Sequence, residues 1–183
     1  MGEVTSVKKH YLSANTFLHD SWRLAAQIFK SGWMPDYLIG LWRGGATVAI
    51  AVHEIFKAEG WDVQHLPLKC SSYSGIGEND GEVIFSFGEE IFESFSPNNR
   101  VLVIDDVFDT GKTAIAVRDK FRKIGAEMRF ACVYWKSVKN HTDMKPDYYV
   151  KDVGDEWIVF PHEIDGLTKE EIKEKDSFLV ELL

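Results

Sequence analysis

An α/β fold built on a mostly parallel sheet is predicted by three features of the sequence. Val101, Leu102, Val103 and Ile104 form an unbroken, mostly β-branched apolar run, the pattern of a strand buried on both faces. That run passes through a short acidic, hydroxyl-bearing turn into a helical pattern, AIAVRDKFRKIG, which stops at Gly125. The same strand–loop–helix order occurs earlier, where Tyr37–Leu41 leads through Trp42-Arg43-Gly44-Gly45 into ATVAIAVHEIFKAEG. A strand, a tight loop and a helix N-terminus in succession build an anion site at the carboxyl end of such a sheet.

Composition narrows the class. A chain of 183 residues fits one domain, and 45% hydrophobic with 27% charged residues is ordinary for a soluble globular protein. The formal net charge of −8 disfavours a nucleic-acid partner. No N-terminal stretch has the basic-then-apolar form of a signal peptide. The longest apolar run, near Ala46–Val52, is too short to cross a bilayer. The expectation is a cytoplasmic protein with no membrane partner. Only Cys70 and Cys132 are present, without zinc-ligand spacing, and Cys132 falls in an apolar strand pattern as a reduced core residue.

In chain order, Phe17, Leu18, Leu24, Ala25, Ile28 and Phe29 mark an amphipathic helix between Ser13 or Asn15 and Gly32. Pro35 and Asp36 open the Tyr37–Leu41 strand. The paired glycines after it let backbone approach a ligand, and Arg43 beside a helix start adds charge for an anion. His53, inside the following helix, reads as a hydrogen-bonded structural histidine. Trp61–Leu68 alternate as a strand, and the Gly-, Ser- and Asn-rich stretch from Lys69 to Gly81 reads as a mobile loop. Val83–Phe87 reads as a strand and Glu89–Phe95 as a helical turn, with no chemistry assigned to residues 82–99. Arg129–Trp135 is a further strand, ending in Lys136 on the ligand side of the sheet. Pro146–Val150 leads on to Asp155–Pro161, where Trp157 and Ile158 stand side by side. Thr168 and Glu171 form a capping box ahead of a short polar helix, and Phe178–Leu183 is apolar.

The loop after the central strand defines a ligand. Asp109-Thr110-Gly111-Lys112-Thr113 offers backbone N–H groups, two hydroxyls and a positive helix end, which suit a phosphate. Asp105 and Asp106 would repel that phosphate, so they face something else: ribose hydroxyls, directly or through Mg²⁺. A Walker A reading fails, because its first glycine would have to stand where Asp106 is. Phosphate at one end and a diol with metal at the other describe a phosphorylated ribose.

The stretch VLVIDDVFDTGKT resembles the PRPP-binding motif of type I phosphoribosyltransferases, four apolar residues, two acids and a D-T-G-x-T loop. Further likenesses extend over residues 10–162. The resemblance implies that Asp109, Thr110, Gly111, Lys112 and Thr113 hold the 5′-phosphate. Asp105 and Asp106 would hold the ribose hydroxyls and Mg²⁺, while Arg43 and Gly44 hold pyrophosphate, with a cis Trp42–Arg43 bond. Ser71, Ser72 and Tyr73 are similar to the closing loop of hypoxanthine-guanine enzymes, and Lys69 would add charge near the pyrophosphate. Lys136 matches the lysine that binds the purine 6-oxo group. Asp155-Glu156-Trp157-Ile158-x-x-Pro161 resembles the base-binding hood of xanthine-guanine enzymes, with Trp157 offering backbone atoms to the base and Ile158 packing on it. His162 stands where an aromatic is expected, which leaves the identity of the base open.

By the same resemblance the chain is a single domain over residues 1–183, with a core of about 34–140. A hood from about 10–33 and 141–165 and a tail of 166–183 complete it. The implied activity is transfer of 5-phosphoribosyl from PRPP to a 6-oxopurine (hypoxanthine, guanine or xanthine) in purine salvage, by a homodimer or tetramer. Asp109 is the catalytic candidate, as an acid–base group near N7 of the base. Two alternatives stay open: another base such as adenine or orotate, and a regulator that senses PRPP or nucleotides without turnover.

Overall fold

The structure, a computed structural model, describes residues 9–72, 83–87 and 89–182. In chain order its elements begin with β1 (Lys9–Tyr11), α1 (Ala14–Lys30), β2 (Tyr37–Trp42), α2 (Gly44–Ala58), β3 (Gln64–Ser72) and β4 (Val83–Phe87). A 3₁₀ turn (Glu89–Ser94) leads to β5 (Arg100–Phe108), α3 (Lys112–Ile124), β6 (Glu127–Trp135) and β7 (Tyr148–Asp152). The chain then forms β8 (Trp157–Val159), α4 (Lys169–Lys175) and α5 (Ser177–Leu182).

Six strands make one sheet in the order β4-β3-β2-β5-β6-β7. Every neighbouring pair is parallel except β3 with β4, so the fold is the predicted α/β class with a mostly parallel sheet flanked by helices. Strand β5, carrying the VLVI run, lies in the interior between β2 and β6, and Val101 to Ile104 are fully buried. That explains why the run is apolar without alternation: both faces are covered. Ile39, Val101, Val103 and Phe130 share one core with Val117 and Phe121 of α3. Helix α2 packs against β2 and β5, burying Val48, Val52 and Phe56.

Two strands run further than local sequence suggests. β5 continues through Asp105 and Asp106 to Phe108, although the two acids were expected to end it. Its pairing with β6 persists to Phe108↔Trp135, and Phe108 is buried, so cross-strand contact overrides the low strand preference of the acids. Likewise β3 starts at Gln64 and extends to Ser72, into the stretch read as loop, because β2 and β4 pair with it there.

The chain divides into two compact units, Leu18–Asp155 and a smaller one of residues up to Phe17 together with Glu156–Leu183. The divide falls inside α1 and between β7 and β8. Residues 18–33 and 141–155, read above as hood, therefore cluster with the sheet, and the tail clusters with the smaller unit. In that smaller unit β1 and β8 pair in parallel, Lys9 opposite Trp157. Thr168 and Glu171 form the expected capping box, both reciprocal hydrogen bonds being present. Both cysteines are free thiols, Cys132 buried in the core. Among the described residues no helix is long and apolar enough to cross a membrane.

Candidate active site

The end of β5, the turn to α3 and the first turn of α3 surround a cavity of about 310 Å³, lined in part by Asp105, Asp109, Thr110, Gly111 and Thr113. Gly111 is the N-cap of α3 at φ +84°, a left-handed conformation that favours glycine, and it supplies no side-chain cap. An α-helix leaves its first N–H groups without intrahelical partners, so this start suits an anion. A neighbouring loop holds the turn in place. The His141 N–H donates to the Thr110 carbonyl at 3.2 Å, and a Cβ on Gly111 would stand 2.5 Å from Thr142 Oγ1. Thr142 in turn donates to Asn140 Oδ1, and Asn140 Nδ2 donates to the Met144 carbonyl, both at 2.8 Å. Sequence reasoning did not single out Asn140 or Thr142; the only signal was a polar Asn-His-Thr-Asp run, which reads as ordinary turn chemistry.

The first loop lies beside the second. A Cβ on Gly44 would fall 1.9 Å from Asp106 Oδ2, and one on Gly45 would fall 2.4 Å from the Ile104 carbonyl and 2.8 Å from the Asp105 Cα. No side chain fits at either position, which fixes the paired glycines where the N-terminus of α2 meets the end of β5. Gly45 thus joins Gly44 as a site-building residue, as the reading of the paired glycines expected, although only Gly44 was assigned to pyrophosphate. The Trp42–Arg43 bond is cis, as the resemblance implied. Arg43 is exposed at the N-cap of α2, and exposed Lys69 stands opposite Trp42 in the β2–β3 register.

Asp105 is the electrostatic anomaly. Burial pushes its carboxyl well above the usual aspartate range and the charge of Asp106 adds to this, opposed by N–H groups of Asp106 and Gly45. The Asp106 N–H donates to Asp105 Oδ1 at 3.0 Å, and the Val107 N–H donates to Asp106 Oδ1 at 2.8 Å. Because the folded-state pKa lies above the unfolded value, the unfolded chain releases this proton first as pH rises. The contribution of Asp105 to stability is therefore intact below the unfolded value, about 3.9, and is lost as pH climbs toward the folded value. Asp105→Asn is expected to raise Tm at pH 8 in EDTA-containing buffer, with the gain shrinking toward pH 4. Thermal unfolding across that range checks it, and equal melting of both proteins throughout would contradict it.

Lys136 follows β6 and is only 9% exposed. Its N–H donates to the Phe108 carbonyl at 2.9 Å, continuing the β5–β6 ladder, and its Nζ donates to Asp109 Oδ2 at 3.1 Å. The other oxygen, Asp109 Oδ1, is buried with no hydrogen-bond partner among the described residues. An orphaned buried acceptor costs roughly 1–3 kcal/mol, so this atom is one a ligand N–H would satisfy. The structure thus brings together a donor and an acceptor, 27 positions apart in sequence, beside the cavity.

Thr113, which lines the cavity, and Lys112 open α3, both half-buried. The backbone of Ser71 and Ser72 closes β3, and Tyr73 lies outside the described residues. In the smaller unit Trp157 is 48% exposed and Ile158 is buried. His162 stacks on Phe160 with ring centroids 5.6 Å apart, filling an aromatic's place in packing. His53 shares a hydrogen bond with the Val63 carbonyl at 3.2 Å, the structural role expected of it.

A divalent cation fits the donor set only in part. Among the described residues no group of three or more His, Cys, Asp or Glu side chains could hold a metal. The two adjacent carboxylates of Asp105 and Asp106 would suit Mg²⁺, which takes one or two carboxylates and completes its shell with water and substrate oxygens, and a bound cation would offset the burial and mutual repulsion that raise the Asp105 pKa.

Comparison with known proteins gives the following. The family model of the phosphoribosyl transferase domain matches residues 8–165. A hypoxanthine-guanine phosphoribosyltransferase of Streptococcus thermophilus is 31% identical over 93 residues, 49% of this chain and 48% of that protein. The chain thus spans about half the length of the curated relatives it matches. A purine phosphoribosyltransferase from Pyrococcus horikoshii superposes with a TM-score of 0.68 at 29% identity, covering 88% of this chain and 97% of that one. A Neisseria gonorrhoeae protein solved with bound ppGpp shares the fold, with a TM-score of 0.75 at 19% identity over 96% and 97% of the two chains.

Proposed function

Since the chain belongs to the phosphoribosyl transferase family, we propose that it transfers 5-phosphoribosyl from PRPP to a ring nitrogen of a 6-oxopurine, releasing pyrophosphate and forming the nucleoside monophosphate. The observation that carries this reading is the pairing of Lys136 with Asp109 beside the phosphate-type loop. A 6-oxopurine offers a carbonyl oxygen and, next to it, the ring nitrogen N7. Lys136 Nζ donates to the first, and Asp109 Oδ1 accepts from a protonated second. Adenine lacks the oxo acceptor. The name of the Pyrococcus protein supports a purine as the base and does not divide oxopurines from adenine.

The remaining residues divide by charge. The start of α3, from Thr110 to Thr113, binds the 5′-phosphate through backbone N–H groups and hydroxyls. Gly44 and Gly45 let the α2 N-terminus approach the pyrophosphate, with Arg43 and Lys69 supplying positive charge. Asp105 and Asp106 bind the ribose hydroxyls and would hold Mg²⁺, which when bound offsets the charge of the departing pyrophosphate. The oxocarbenium-like carbon has to be kept from water, the role that the resemblance gives to Ser71, Ser72 and Tyr73. Asp109 moves a proton at the purine imidazole as the bond to ribose forms. Trp157 and Ile158 bind the base, one by backbone groups and one by packing. On this reading the protein is a cytoplasmic homo-oligomer serving purine salvage.

Pyrophosphate release with PRPP and Mg²⁺ tests it, with hypoxanthine, guanine, xanthine and adenine offered separately. Turnover with an oxopurine and little with adenine is expected. No turnover with any base, while PRPP or a nucleotide still binds, overturns the proposal in favour of a nucleotide sensor.

A further inference from the structure

The C-terminal helix α4 is tied by its charged side chains to the strand that bears Trp157 and Ile158. Lys175 Nζ donates to the Phe160 carbonyl at 2.6 Å and also to the Glu163 carbonyl, clasping the turn that follows β8. That turn is closed from the other side, where the Phe160 N–H donates to Glu163 Oε2 at 3.0 Å. One turn earlier on α4, Glu171 pairs with Lys9 at 2.5 Å. The Lys9 ammonium lies 5.7 Å from the centre of the Trp157 ring, directly across the β1–β8 register. Glu171 is itself held by the Thr168 N–H at 2.9 Å, so its carboxylate has little freedom.

β8 has only three residues, and β1 is its strand partner in a two-stranded sheet. A ribbon that small is marginal in water without further support. Two independent ties from α4 supply it, one to the backbone after β8 and one through Lys9 to the ring of Trp157. Lys175 reaches out of its own helix to this turn, drawn also by the charge of the Glu163 carboxylate. Neither carbonyl belongs to its helix, and a lysine that gives up part of its hydration to reach two backbone oxygens fixes where they lie.

We propose that Lys175 and Glu171 are positioning residues for base recognition, setting the place of Trp157 and Ile158 without touching the substrate themselves. This rests on the reading that β8 binds the purine. A base edge held by backbone atoms is sensitive to small displacements, whereas the PRPP loops belong to the other compact unit. Loss of the ties should therefore appear in base affinity and selectivity and leave PRPP affinity alone.

The test is steady-state kinetics on Lys175→Met, Lys175→Arg, Glu171→Gln and Ile158→Ala with the full chain. Lys175→Met is expected to raise KM for the preferred purine about tenfold, with KM for PRPP within about twofold of wild type. Lys175→Arg, which keeps a cation and several donors, should recover most of that loss. Glu171→Gln should shift the ratio of kcat/KM between two purines. If Lys175→Met and Glu171→Gln leave purine KM and selectivity unchanged while Ile158→Ala alters them, the positioning role is refuted and the base site stands. If Ile158→Ala also has no effect, the assignment of β8 to the base fails, and the positioning role with it. A fall in Tm with both KM values unchanged makes the ties purely structural and refutes the proposal.

Discussion

Replacing Asp109 by Asn or Ala is expected to lower kcat by about 10²–10⁴, the usual range for a positioned acid–base group. Asp109 Oδ2 takes the Lys136 ammonium, and Oδ1 is buried without a partner. That second oxygen is where a purine N–H would be received, and only a carboxylate can take the proton fully. Asn retains the size and one acceptor oxygen but cannot accept a proton at neutral pH. The two variants therefore separate proton transfer from packing: if the proton matters, Asn and Ala lose similar amounts of kcat. The Asp109 side chain is 41% exposed but that of Lys136 only 11%, so either variant leaves a largely buried ammonium without its carboxylate, and Tm is expected to fall as well. Rate at saturating PRPP and purine is the measurement. A kcat within threefold of wild type would remove the acid–base role.

Lys136→Met should raise KM for the oxopurine about 10- to 100-fold, the loss of one charge-assisted hydrogen bond to the 6-oxo group. Methionine keeps the length and packing of the stem, and the Lys136 N–H bond to the Phe108 carbonyl is backbone and survives. Discrimination between bases should move in a diagnostic way. An oxopurine loses its donor partner, whereas adenine never had that bond, so the preference for oxopurine over adenine narrows. Since Asp109 loses its ionic neighbour in the same variant, some loss in kcat is expected beside the rise in KM. Dissociation constants for PRPP should stay put, because Lys136 faces the base and not the phosphates in this reading. An unchanged oxopurine KM, with adenine still excluded, would show that Lys136 does not read the oxo group.

Several parts of this protein were decided locally and could be read from the chain. The run Val101–Ile104 is apolar at every position because the strand is interior and covered on both faces, and its β-branched residues and the turn that follows mark it as a strand. Gly125 ends α3 in the left-handed conformation, and the Thr168–Glu171 box starts α4, because helix termini are satisfied by groups a few residues away. The acids, threonines and glycine of the phosphate-type loop are contiguous for the same reason: one strand-to-helix turn presents them all.

What the tertiary structure decided involves partners distant in sequence. Whether Asp105 and Asp106 end β5 depended on β6, whose pairing carries the strand on to Phe108. That Gly45 makes room for the backbone of β5 itself, with the Ile104 carbonyl 2.4 Å from where a Cβ would be, depended on how α2 packs on that strand. The seat of Gly111 against Thr142, the contact of Lys136 with Asp109 and the ties of Lys175 to the turn after β8 also join separate elements. Periodicity and turn chemistry report the environment of a single element, and they specify its type well. Which elements meet is set by packing of the whole core, where many weak contacts compete, and no local pattern encodes that outcome.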